Sequence, residues 1–189
     1  MKKIVIGAVL ALLASMAAAE RADATKNAVI NAESIDADQV SLTRILNGNV
    51  TVDRGTMRLT SDKAVVKETP EGYMMVTLSS APGKLATFRQ KRDGGGDLWV
   101  DGQAQRIEYD DKSQVVKLFG AARIKQLDGS KVTDELNAEF VSYDSRTEKL
   151  VSRNDVSGEN KVGKGRSTLI IAPHRPVVAP APAPAAGKQ

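Results

Sequence analysis

Cysteine is absent from this chain and histidine occurs once, at His174. The first absence excludes disulfides, thiolate metal sites and thiol nucleophiles together. The single imidazole sits among prolines near the C-terminus, a poor place to hold a catalytic base rigid. Aromatic residues make up 4% of the 189 residues, too few for the exposed rings on which single-stranded nucleic acid stacks. No phosphate-cradling loop is present: Asp93-Gly94-Gly95-Gly96-Asp97 lacks the lysine and the strand-to-helix setting. Two adjacent carboxylate pairs remain, Asp110-Asp111 and Asp134-Glu135. Neighbours on a strand point to opposite faces, so neither pair holds one metal or flanks one bond, and each reads as a turn or solvated edge. Ser79-Ser80 has no partner base. The expectation is a protein without enzymatic activity, cofactor or metal.

What is there fits one modest globular domain, 41% hydrophobic and 26% charged. Lys2 and Lys3 precede an apolar run, Ile4 to Leu13, and then Ala17-Ala18-Ala19 before Glu20. That is the pattern of a cleavable secretory signal over residues 1–19, and the run falls short of the roughly 20 residues that cross a bilayer. Removing it takes 27 basic residues to 25 against 23 acidic ones, a net +2. Such a small excess is no footprint for duplex nucleic acid. Five of the seven prolines lie between Pro173 and Pro184, so residues 172–189 read as a Pro/Ala-rich disordered tail. Residues 20–26 read as a flexible N-terminus and Ser157 to Arg166 as a loose edge, leaving a folded domain over 27–171.

Inside that range the hydrophobic period is two. Ile30/Ala32, Val50/Val52, Met57/Leu59, Ala64/Val66, Met74/Val76/Leu78, Ala86/Phe88 and Ile107/Tyr109 each alternate with polar neighbours, as do Leu118, Ala122 and Ile124. Alternation sends successive side chains to opposite faces, so each run is a half-buried strand. Asn47-Gly48, Asp53-Arg54-Gly55, Glu71-Gly72, Pro82-Gly83, Asp93 to Gly96, Asp101-Gly102, Asp110-Asp111 and Asp128-Gly129 read as tight connections between them. Short strands at this spacing indicate an antiparallel sandwich, barrel or roll. Consecutive apolar residues at Leu98-Trp99-Val100, Val115-Val116 and Phe140-Val141 fit a bulge, a strand covered on both faces, or a crossing between sheets. Ala104 to Asp110 is echoed by Ala138 to Asp144, and Gly48-Asn49-Val50 more weakly by Gly120-Ala121-Ala122, as if hairpins were stacked in series.

Several of these elements carry a resemblance. Pro82-Gly83-Lys84-Leu85-Ala86-Thr87-Phe88-Arg89-Gln90, followed by a Gly-rich turn and the Glu108-Tyr109-Asp110 strand, resembles the OstA-like family of periplasmic lipopolysaccharide transport proteins. Gly48 to Val52 before Gly55-Thr56, the Asp62-Lys63-Ala64 strand and Ile30-Asn31-Ala32-Glu33-Ser34 match the same pattern in the same order. Leu85 stands where the family usually has proline, and Ala121 where a second Gly-Asn element would have asparagine; both departures bear on local turn geometry.

The resemblance implies an all-β fold, an open twisted β-jelly roll of antiparallel strands with an apolar interior groove. It also implies a periplasmic carrier of lipopolysaccharide that shields the lipid A acyl chains between the inner and outer membranes. The implied partners are an LptC-like protein anchored in the inner membrane, an LptD-like outer-membrane translocon, and further copies of the chain joined head to tail. An unclosed roll leaves its first and last strands unpaired, which suits such joining through the strands near Ile30 and Leu169 to Ile171. By matched position and inward parity Ile30, Phe88 and Tyr109 are placed along the acyl groove, with Val50, Leu59, Leu118 and Tyr143 beside them. Arg89, Lys91 and Arg92 are candidates to meet lipid phosphates at the groove mouth, but they lead into a Gly-rich turn and are read as a solvated hairpin. An LptC-like or LptD-like domain is disfavoured because no anchor and no barrel accompanies the cleavable signal. A secreted β-rich binding module is disfavoured because no exposed aromatic row appears.

Overall fold

The computed structural model describes residues 23–173. The expected signal over 1–19, His174 and nearly all of the expected tail lie outside them. Twelve strands follow one short 3-10 turn at Asp23–Thr25: β1 (Ala28–Asn31), β2 (Ser34–Asp38), β3 (Thr43–Arg54), β4 (Met57–Glu68), β5 (Met74–Ser79), β6 (Ala86–Lys91), β7 (Leu98–Ala104), β8 (Arg106–Asp110), β9 (Val115–Asp128), β10 (Lys131–Asp144), β11 (Lys149–Arg153) and β12 (Thr168–Ile171). Every pairing between them is antiparallel.

Four long strands make the architecture, because each half pairs differently. The front half of β3 pairs with β2 and its back half with β1. The back half of β4 pairs with β5 and its front half with β6. β9 divides between β8 and β7, and β10 between β11 and β12. The result is two layers sharing four strands. The first runs β2, β3, β4, β5, β8, β9, β10, β11; the second runs β1, β3, β4, β6, β7, β9, β10, β12. Their apolar faces meet in one core cluster, and the layers hinge on a crease where the long strands cross. This is a jelly roll with β1 and β2 at one edge and β11 and β12 at the other.

Two of the expected connections lie inside strands instead. Asn47-Gly48 has the composition of a turn, but it is a bulge within β3 at the crease, with the register shifting between Asn47 and Val50. Gly48 and Asn49 take φ of 77° and 46° there, and Gly120 and Ala121 take 74° and 48° at the matching point of β9. In each case the chain opposite breaks, at Ala32-Glu33 and at Gln105, and a backbone N–H from the break donates to the glycine carbonyl: Glu33 to Gly48 and Gln105 to Gly120, both at 3.0 Å. Asp101-Gly102 is no turn either. Gly102 lies within β7, and a Cβ there would come within 2.9 Å of Leu118 in the facing layer. It lets the layers approach.

The weak sequence echo is therefore a structural repeat, and Ala121 keeps the geometry without asparagine. An exposed alanine held at positive φ is strained by about 1–2 kcal/mol, and glycine escapes that strain. Ala121→Gly is expected to stabilise the protein by about 1 kcal/mol in equilibrium urea unfolding; an unchanged midpoint would show that the strain is not held at this residue.

A second repeat closes the first layer. Asp38, Asp110 and Asp144 each accept the backbone N–H of the second and third residues after them. The fourth residue after each, Leu42, Gln114 and Glu148, takes φ between 51° and 55°. Three hairpins thus share one loop, the aspartate mimicking a backbone turn. Of the three apolar runs, Phe140-Val141 marks a crossing: the register of β10 shifts between Ala138 and Phe140, and Phe140 packs outside against Phe119 with ring centroids 5.1 Å apart. At Leu98-Trp99-Val100, Val100 is buried while the Arg89 guanidinium lies over the Trp99 ring at 4.4 Å. At Val115-Val116 only Val116 is fully buried.

Of the stretch read as a flexible N-terminus, residues 23–26 are described, and Asp23 among them is buried. Its carboxylate accepts the Thr56 backbone N–H at 2.9 Å and the Thr56 hydroxyl at 2.6 Å, tethering the turn to the β3–β4 hairpin. The loop over 154–167 is also held. Asn154 exchanges hydrogen bonds with the Lys161 backbone. Lys161 caps Asp155 at 2.8 Å, and this hydrogen bond pulls the Asp155 carboxyl far below its ordinary value.

Candidate functional site

Inward residues line up across the strands rather than along them. In the second layer the register places Ile30, Val52, Leu59, Phe88, Gly102, Ile124, Leu136 and Leu169 side by side from edge to edge. In the first layer a row runs Ile35, Leu46, Ala64, Leu78, Ile107, Leu118, Val141. A parallel row holds Val66, Val76, Tyr109, Val116, Tyr143 and Leu150. Strands lie about 4.8 Å apart, so eight of them make an apolar trough roughly 34 Å long, perpendicular to the strands and open at both edges of the roll.

All seven residues expected along the groove face this trough. Ile30, Val50, Leu59 and Phe88 line the second layer; Tyr109, Leu118 and Tyr143 line the first. Phe88 and Tyr143 meet across the interior with centroids 6.3 Å apart. In this conformation the two linings pack against each other: Phe88, Leu118 and Tyr143 are no more than 1% exposed. The exposure falls at the ends. Ile35 is 49% exposed at one edge, and Leu169 and Ile171 are 57% and 61% exposed at the other.

Opposite the crease the layers meet again at a lip, and there the inward positions turn polar. Arg54 ends the inward series Val50, Val52 of the second layer; Asp111 ends Ile107, Tyr109 of the first. Their Nη1 and Oδ1 atoms lie 2.6 Å apart, with side chains 13% and 5% exposed. Arg54 Nε also donates to the Lys26 carbonyl, and the Tyr109 hydroxyl donates to Asp111 at 3.3 Å. Burial pushes the Tyr109 phenol far up, and the Asp111 charge adds to this while Arg54 opposes it. The phenol stays a donor. Gln90 Nε2 reaches Asp23 at 3.4 Å. Further along, Arg92 of the second layer pairs with Glu148 of the first.

Three expectations change here. Asp110-Asp111 reads in sequence as a turn or solvated edge. Asp110 is indeed the turn residue, but Asp111 is buried, because opposite parity sends it inward. Arg92 reads as part of a solvated hairpin, yet it leans over the interior to Glu148, whereas Arg89 stays outside on Asp101 at 2.8 Å. Asp134-Glu135 is neither turn nor edge: it lies within β10, paired with β9 on one side and β12 on the other, and Glu135 sits near Arg123 and Lys125 on the outer face. Among the described residues no cluster of three or more acidic or imidazole groups is placed to hold a metal.

Known proteins resemble this chain. Residues 29–149 match the family described as LptA/(LptD N-terminal domain) LPS transport protein. The lipopolysaccharide export system protein LptA of Escherichia coli K12 is 34% identical over 142 residues, 72% of this chain and 69% of that protein. Its namesake in Haemophilus influenzae is 27% identical over 173 residues, 90% of this chain and 91% of that one. The crystal structure of LptH, the LptA-homologous periplasmic component of the conserved lipopolysaccharide transport device from Pseudomonas aeruginosa, superposes with a TM-score of 0.70. It is 20% identical and covers 80% of this chain and 99% of that one. At that identity the superposition speaks to the fold, which it supports as the expected jelly roll.

Proposed function

The chain belongs to the LptA/LptD N-terminal domain family of lipopolysaccharide transport proteins, and on that premise we propose that it carries lipopolysaccharide across the periplasm by shielding acyl chains between the two layers of the roll. The observation that carries the reading is the trough itself: inward apolar rows that reach both edges of the sheet and end in exposed Ile35, Leu169 and Ile171. A domain core of ordinary type closes at its margins; this one continues to them. Each methylene buried contributes about 0.8 kcal/mol, so a chain of a dozen carbons gains on the order of 10 kcal/mol, enough to replace contacts between the layers. The sugars and phosphates stay in water at the lip.

Export to the periplasm agrees with the signal pattern of residues 1–19, and the Gly-rich stretch Asp93 to Asp97 is no phosphate-cradling loop that could drive movement. Directionality then comes from neighbours. We place an LptC-like protein at one edge, an LptD-like translocon at the other, and copies of the chain between them. Joining β12 of one copy to β1 of the next continues the second-layer row from Leu169 to Ile30, and joining β11 to β2 continues the first. Such a head-to-tail contact does not close on itself and so gives open filaments. Scattering mass is expected to rise with concentration, and Leu169→Asp to hold the protein as a monomer; equal masses for both at all concentrations would remove the edges from the interface.

The groove is tested by photo-crosslinking. A crosslinker at Phe88, on the trough, is expected to capture lipopolysaccharide, and one at Glu108, facing out of β8, to capture none. Adducts at both positions, or at neither, overturn the assignment.

A further inference from the structure

An interior that admits lipid has to open at the lip, and the lip is held by charge. Arg44–Glu68, Arg89–Asp101 and Arg123–Glu135 each stay within one layer. Arg54–Asp111 and Arg92–Glu148 cross between layers. Both arginines belong to the second layer and both carboxylates to the first. Parting the lips therefore sorts the charges, leaving a cationic lip on one side and an anionic lip on the other. Arg54 is mostly buried, and separating it from Asp111 with nothing in exchange would strand a charge in a poorly solvated place. The Lys26 carbonyl and the neighbouring Asp23 stay with the second layer, and the Tyr109 hydroxyl stays with Asp111.

Resting on the carrier reading, we propose that these two pairs form an exchangeable latch, whose arginines pass from Asp111 and Glu148 to the phosphates of an incoming acylated lipid as the layers part. Guanidinium pairs with carboxylate and with phosphate alike, so a phosphate takes over the ion pair that each arginine gives up. An amphiphile carrying phosphate brings both replacements at once: an anion for the lip and a hydrocarbon chain for the trough. An uncharged lipid brings only the second. The latch thus makes the carrier selective for phosphorylated cargo, and the second-layer lip is its headgroup site.

The test uses a fluorescent acylated glucosamine disaccharide in bisphosphorylated and phosphate-free forms, titrated into the wild-type mature protein, Arg92→Gln and Glu148→Gln, with folding checked by circular dichroism. Wild type is expected to favour the phosphorylated form. Glu148→Gln, which frees Arg92 of its rival, is expected to bind that form about fivefold more tightly, the scale of a partly exposed ion pair. Arg92→Gln opens the same contact without a phosphate receiver, and its preference is expected to shrink by a similar factor. Inorganic phosphate alone is expected to leave binding of the phosphate-free lipid unchanged; if it enhances that binding, a free anion rather than a headgroup works the latch, and the proposal falls. Equal changes in both variants for both lipids, or no preference in wild type, overturn the latch while leaving the carrier reading intact. Binding of neither lipid by wild type overturns the carrier reading, and the latch with it.

Discussion

Asp111→Ala is expected to cost about 3–5 kcal/mol of stability, which for a domain of this size lowers Tm by roughly 10 °C. The reason is not the worth of the Arg54–Asp111 pair, since buried pairs are often near neutral against apolar residues of similar size. It is what truncation leaves behind. Arg54, 13% exposed at its side chain, would face the interior without its carboxylate, and the Tyr109 hydroxyl would lose its acceptor. Arg58–Asp53 supplies the contrast. Arg58 is 63% exposed, so Asp53→Ala is expected to cost about 1 kcal/mol or less. Replacing both partners, as Arg54→Met with Asp111→Leu, is expected to recover most of the loss. Thermal unfolding of the three proteins decides the matter. If the double replacement melts as low as Asp111→Ala, the loss comes from lip geometry and not from a stranded charge.

The strands are legible in the sequence because each needs only its own neighbours. Val76 and Leu78, or Ile107 and Tyr109, declare an inward face by alternation whatever strand lies beside them. The crease is not legible, because it is a property of pairs. Asn47-Gly48 has the composition of a turn; only the partner, breaking at Glu33 and donating to the Gly48 carbonyl, turns it into a bulge that carries β3 from one layer to the other. The lip leaves a signal that period-two reading can use. Inward series run Val50, Val52, Arg54; Phe88, Gln90, Arg92; Ile107, Tyr109, Asp111; and Ala64, Val66, Glu68. Each starts apolar and ends polar at the hairpin, so parity extended two residues further places a rim of charge on the inside. What parity leaves open is which rim residues face one another, since Arg54 and Asp111 belong to different layers. The groove residues are legible as inward and apolar, but that property is shared by a filled core and an opening one.

Phe88→Ala separates those two. Phe88 is 1% exposed, packs on Tyr143, and has its ring over Gly102, where an added Cβ would lie 3.4 Å from it. Truncation is expected to cost about 3–5 kcal/mol in unfolding free energy. In a plain core the cavity left behind takes up at most a small apolar molecule, and the layers stay shut to a fatty chain that carries a headgroup. In a carrier the same contacts hold the layers shut, so their loss reduces the work of parting them. Binding of an acylated lipid is then expected to strengthen as folding weakens, by about tenfold for each 1.4 kcal/mol of interlayer contact removed. Part of the lost energy belongs to folding of the second layer itself, so the gain in affinity is smaller than the full destabilisation would convert to. Glu108→Ala, on the outer face of β8, is expected to move neither quantity. A variant destabilised at Phe88 whose lipid affinity is unchanged would mean that the layers do not separate along this seam. Opposed signs, with stability down and affinity up, are what a lining that trades its own packing for cargo must show.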